Sequence, residues 1–130
     1  MTPKIIGSFP LGHEYIDIAA HNGYDGEFQS HAGKGKCARI SVGISHKNWH
    51  KVVDVLLHEL MEYAMWRDGL RYDPDDDVAQ DAGAYLFVMR HDQFSNAIAK
   101  VGMAAASSHD ELKKEWERVH KKSAKDLTTK

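Results

Sequence analysis

Between Ser45 and Gly69 the chain has neither proline nor glycine. Its apolar residues recur there at three- and four-residue spacing: Trp49, Val52, Val53, Leu56, Leu57, Leu60, Ala64 and Met65. A stripe this long commits the segment to one amphipathic helix whose apolar side must be covered along most of its length. Ser45 is a suitable N-cap, and Gly69 fits the left-handed position just past a helix end. Any fold open to the chain is built around this element.

Candidates to cover it lie on both sides. Upstream, Lys4–Phe9 and Tyr15–Ile18 read as short strands with a turn at Pro10-Leu11-Gly12. Ala38–Ile44 alternates strictly and is the clearest strand, whereas His21–Lys36, rich in Gly, His and Asp, reads as a loop or ragged hairpin. Downstream, Asp75, Asp76 and Asp77 crowd the first turn of a second helix, where carboxylates favour the helix dipole. Val78, Ala82, Tyr85, Leu86 and Met89 supply its buried side. A third helix is expected over Asp92–Ala106, with Phe94, Ala97, Ile98 and Val101 inward. Ser108 and Glu111 form a capping-box pattern for a last helix that buries Leu112, Trp116 and Val119. Strands precede helices, so the expected class is α+β: a small three-stranded sheet packed on a long helix, followed by two or three further helices. The length suits one domain over residues 1–120, with 121–130 as a polar, frayed tail.

Composition removes several functions. Seventeen Lys and Arg stand against nineteen Asp and Glu, a net charge of −2, which argues against a general polyanion binder. The lysine-rich stretch Lys113–Lys125 is interleaved with Glu115 and Glu117 and reads as a solvated helix face. No apolar run approaches the roughly 20 residues of a membrane span, and the first residues do not read as a secretory leader. The single cysteine, Cys37, makes no internal disulfide and fits a reducing compartment. The expectation is a cytoplasmic protein without a nucleic-acid or membrane partner.

Nine histidines in 130 residues call for sorting, because imidazole is the commonest metal ligand. One sits in a distinctive setting: His58-Glu59-Leu60-Met61-Glu62, in the middle of the stripe. His58 and Glu62 are four apart and project from one side of the helix. Together they offer two ligands to one cation. In the His-Glu-x-x-His motif of metalloproteases the glutamate after the first His is the general base; Glu59 holds that place, and Glu62 replaces the second His. A third ligand is expected from the next helix, either Asp81 or Asp77, which share a face. Each residue also has a plain reading. His58 suits a hydrogen-bonded core histidine, and Glu59 and Glu62 suit surface charges. Asp77 suits a helix-dipole partner, and Asp81 a solvated acid or the partner of Arg67 or Arg71. His46 and His50, also four apart, are more ordinary as exposed side chains than as a metal clip. Trp49 and Trp66 fit the core.

These residues resemble, in order, the minimal zincin-like proteins common in phage and prophage genomes, kin to the ImmA/IrrE type of metallopeptidase domain. Leu11-Gly12-His13-Glu14-Tyr15-Ile16 is similar to their early strand, Asp25-Gly26-Glu27 to the short segment before the edge strand, and Arg39-Ile40-Ser41-Val42 to that strand. His46–Met65 resembles the active-site helix, and Val78–Met89 the following helix that carries the third metal-binding acid. The resemblance covers about residues 4–100. It implies a zincin-like fold with substrate lying along the sheet edge. It also implies a divalent metal, zinc first, held by His58, Glu62 and a downstream Asp, with Glu59 as general base. The implied function is a metal-dependent, peptidase-like hydrolase acting on a peptide or protein, in the host cytoplasm if phage-encoded. The departure at Glu62 bears on this, since added carboxylates favour harder metals and neutralise the ion's charge. The alternative is a catalytically inactive zincin-like phage protein, without metal, that binds a host protein; its acidic Asp73–Asp77 cluster suits a basic partner.

Overall fold

A computed structural model describes residues 3–31, 35, 37–72, 86–87 and 89–128, with the backbone alone described at 71–72, 86–87 and 122–128. The class is α+β, as the order of strands and helices predicts. The sheet is larger than expected. Four strands, β1 (Lys4–Leu11), β2 (Glu14–His21), β3 (Gly26–Gln29) and β4 (Arg39–Gly43), lie in the order β1-β2-β4-β3. β1 pairs antiparallel with β2, β2 parallel with β4, and β3 antiparallel with β4.

Strand β3 falls inside the segment read as a loop. It is four residues long and alternates half-buried Gly26 and Phe28 with exposed Glu27 and Gln29, too little apolar content to register as a strand on its own. Its pairing is fixed from the β4 side. The chain leaving β2 is clamped over the end of β4, with Gly43 N donating to Asp25 O, Ile44 N to His21 O and Ser45 N to Gly23 O. Ser45, expected as a helix cap, instead accepts from Gly23 N through Oγ at 2.9 Å. The turn between β1 and β2 is also tighter than predicted. Pro10 and Leu11 belong to β1, and Gly12 turns the chain with φ +65°. β1 is an edge strand, where a proline costs no ladder bond that an interior strand would need.

Helix α1 (Trp49–Arg67) is the element the stripe predicts. Its cap is Asn48, whose side chain accepts from His50 N at 2.9 Å. Its end is a Schellman turn: Gly69, at φ +73°, donates to Trp66 O and Leu70 N donates to Met65 O, while Leu70 is buried beside the last turn. The α1 side of the sheet presents Ile16, Ile18, Ile40 and Val42, all fully buried, to Val52, Leu56 and Leu60.

The downstream region departs further from expectation. Leu86–Phe87, assigned above to a second helix, form a short strand β6 antiparallel to β5 (Arg71–Tyr72). Met89, assigned to the same helix, lies outside any helix, and the remaining positions of that expected helix, including Asp77 and Asp81, lie outside the described residues. The two later helices are one: α2 (His91–Thr128) runs unbroken for 38 residues, about 57 Å at 1.5 Å per residue. Its start is closed by Gln93, whose Oε1 accepts from Arg90 N at 2.8 Å. Ser108 caps nothing. It is fully buried in mid-helix, and its hydroxyl donates to Ala104 O at 2.7 Å, so its hydrogen bonding is satisfied without a helix start. Gly102 is simply carried within the helix at the usual cost of a glycine. The buried line of α2 is Ala97, Val101, Ala104, Ser108 and Leu112, mostly small residues that let the helix lie close to α1 and β1. Phe94 and Ile98, expected inward, are exposed at 41% and 46%. Among the described residues, no helix is long and apolar enough to cross a membrane.

Candidate metal centre

Helix α1 lies beneath the β3 edge; Phe28 packs there on Tyr63 and Trp66, and at the other end of the strand the contact is made by a residue with no side chain. A Cβ on Gly26 would sit 2.6 Å from Glu59 Cγ, 2.9 Å from Ser41 O and 2.9 Å from Val55 Cγ1. The space a side chain would fill in β3 is taken by the Glu59 side chain. Glu59 is accordingly buried, at 7% exposure, whereas the His58 side chain is 65% exposed and that of Glu62 is 22% exposed. This reverses the plain reading of His58 as a core histidine and Glu59 as a surface charge.

The three side chains converge. One potential ligand atom from each of His58, Glu59 and Glu62 lies within 4.8 Å of the others, and His58 Nε2 is 3.5 Å from Glu62 Oε1. Two ligands each about 2.1 Å from a tetrahedral zinc are about 3.4 Å apart, so the pair already stands at a chelating separation. Burial pushes the Glu59 carboxyl above the ordinary glutamate range, and Glu62 adds to this. Glu27 and Asp25, on and beside β3, push the same way, against the opposing pull of His58. An imidazole with two carboxylates is a donor set that zinc and harder divalent ions accept, with carboxylates tilting the preference toward the harder ones. The residues present therefore fit a divalent cation.

His58 stands between two depressions. On one side, a groove of about 570 Å³ between α1 and α2 is walled by Leu57, Met61, Met65, Ile98 and Val101, with His58 and Glu62 at its margin. On the other, a cleft of about 540 Å³ under the β3 edge is lined by Asp25, Gly26, Asp54, Val55, His58 and Glu59. Asp25, Asp54 and the groove from α2 escape a motif-based reading. Asp54 carried a signal: it is four residues before His58, in the row His50-Asp54-His58-Glu62. Asp25 entered only through the resemblance of Asp25-Gly26-Glu27 and without a role at the site, because only the pairing of β3 brings it to α1.

No protein-family model matches the chain. No curated protein and no solved structure matches it significantly.

The other residues singled out in the sequence have separate roles. His46 meets Tyr24 O at 3.0 Å and His50 meets Asp54 Oδ1 at 3.8 Å, so they do not form a clip with each other. Arg67 lies 3.6 Å from Glu14. Trp49 packs on Trp116 and His109, half-buried, and Trp66 is 41% exposed beside Phe28 and Tyr63. Trp116 is held by its indole N–H donating to His46 O at 2.8 Å.

Proposed function

We propose that the protein is a divalent-metal-dependent hydrolase of peptide bonds, with a zincin-like arrangement of helix and sheet edge. The observation that supports it is the convergence of His58, Glu59 and Glu62 beneath an edge strand. His58 and Glu62 hold the cation, and a downstream acid, Asp81 or Asp77, completes its ligands. A cation there supplies Lewis acidity toward the carbonyl of the bond to be cut. Glu59 takes the proton from the attacking water and delivers it to the leaving amine. Among the described residues the outer edge of β3 pairs with no strand, and an extended peptide added there would run over Glu59.

One contact favours a second reading. The 3.5 Å approach of His58 to Glu62 can also be an ion pair in a protein that binds no metal, and the chain would then be a non-catalytic binding module. The two readings part at Glu59→Gln. The full-length protein, supplied in turn with Zn²⁺, Mn²⁺ and Ni²⁺, is incubated with a mixed peptide pool and the products are followed by mass spectrometry. The hydrolase reading expects chelator-sensitive cleavage that falls by about 10²–10⁴-fold in Glu59→Gln. Absence of cleavage, or cleavage equal in the variant, contradicts it.

A further inference from the structure

The two depressions flanking His58 differ in chemistry, and this difference points to a substrate. The groove between α1 and α2 is apolar: Leu57 and Ile98 stand at its surface, exposed at 39% and 46%, with Met61, Met65 and Val101 deeper. Its volume lies in the range of pockets that bury a bulky group. The cleft under β3 carries Asp25, Asp54 and Glu59, and among the described residues neither lysine nor arginine lines it. Asp25 and Asp54 lie outside the converging donor set; Asp54 also faces His50 at 3.8 Å, and Asp25 is the acid that belongs to the cleft and not to the groove or the donor set. Both depressions share His58 and Asp54 as lining residues. One ligand lying across His58 therefore meets an apolar wall on one side and an acidic one on the other.

We infer that this site takes an extended peptide with a bulky apolar side chain in the α1–α2 groove and a lysine or arginine side chain in the β3 cleft, one on each side of His58. The inference rests on the proposed site and names its substrate class. Successive side chains of an extended chain point to opposite sides, which matches an occupant whose neighbouring residues enter opposite depressions. Charge complementarity selects the cation, and apolar burial selects the bulky neighbour.

Gly102 makes a clean test. It lines the groove, and a Cβ added there meets no atom within 4 Å. Gly102→Leu therefore sets a bulky side chain into the groove from a position where a Cβ is tolerated, and a melting temperature at or above the parent's confirms that the fold is kept. End-labelled peptides of equal length carry leucine or alanine beside lysine or glutamate, in both orders. Their binding to the full-length protein is measured by fluorescence anisotropy with Zn²⁺ and with chelator, and cleavage is followed in parallel. The expected result is that a leucine–lysine peptide binds at least about tenfold tighter than its alanine or glutamate counterpart. Gly102→Leu abolishes the leucine preference and keeps the lysine preference; Asp25→Asn weakens the lysine preference alone. Equal binding of all peptides, or a leucine preference untouched by Gly102→Leu, overturns the inference. Selective binding without cleavage rejects the hydrolase reading and leaves the two-sided site standing. Cleavage without selectivity does the reverse.

Discussion

Glu59 is the residue at which sequence and structure bear on each other most closely. Its carboxyl is buried against a glycine and raised by its surroundings. An acid raised in the folded state is stabilising in its protonated form. That contribution is complete below the ordinary glutamate value of 4.5 and is lost as pH rises through the raised folded value. Above that raised value the charged carboxylate therefore opposes folding, and at such pH, in chelator-treated protein, Glu59→Gln unfolds at higher denaturant than the parent. A lower midpoint for the variant contradicts this account. Tyr63 is a second residue-scale case. Its hydroxyl donates to Glu14 Oε1 at 3.1 Å, and burial together with that carboxylate pushes its pKa up to about 12. A phenolate absorbance titration, corrected with Tyr63→Phe, is expected to place Tyr63 near that value, and a midpoint near 10 contradicts the contact. The motif itself was legible in the sequence. Which of its side chains turns inward was not, because that depends on Gly26, 33 positions from Glu59 and on another element.

At the scale of elements, two glycines make opposite predictions. Gly26→Ala drives a methyl group into Glu59, Val55 and the backbone of β4, which costs about 1–3 kcal/mol as an overpacked contact and displaces the proposed base. Gly102→Ala meets open space on α2 and stabilises the helix by about 0.5–1 kcal/mol. Chemical denaturation of the two variants checks both signs. Elements with strong local signals were legible: α1 from its unbroken stripe, β4 from its alternation, and the left-handed Gly69 from its place after the last apolar residue. Elements defined by partners were not. β3 exists because β4 pairs with it, and the break expected near Ser108 vanishes because the hydroxyl bonds back along the helix. The inward assignment of Phe94 and Ile98 failed for a related reason. The α2 face that meets the core is the line of small residues beginning at Ala97, which a search for large apolar side chains passes over.

Across the whole molecule, the first strand and the long second helix are tied together by charge. Lys4 on β1 lies 2.9 Å from Glu115 on α2, and Glu115 also receives Arg118. The hydrogen bond from Arg118, ahead of that from Lys4, holds the Glu115 carboxyl below its ordinary value of 4.5. The stability it contributes is present above that value and is lost as pH falls through the lower, folded one. Glu115→Gln is expected to flatten this acid limb of a stability-against-pH curve, and an unchanged limb contradicts the assignment. The α+β class was accessible from element order alone, whereas the placing of an apolar groove beside the motif depended on how α2 crosses α1.

The central claim is that His58 and Glu62 are cation ligands held ready by the fold. Calorimetric titration of chelator-stripped protein with Zn²⁺ tests it most directly, with His58→Ala and Glu62→Ala beside the parent. The expected result is one ion bound per chain by the parent and none by either variant, with the metal-free melting temperatures within a few degrees of each other. No binding by the parent, or binding that both variants retain, contradicts the claim.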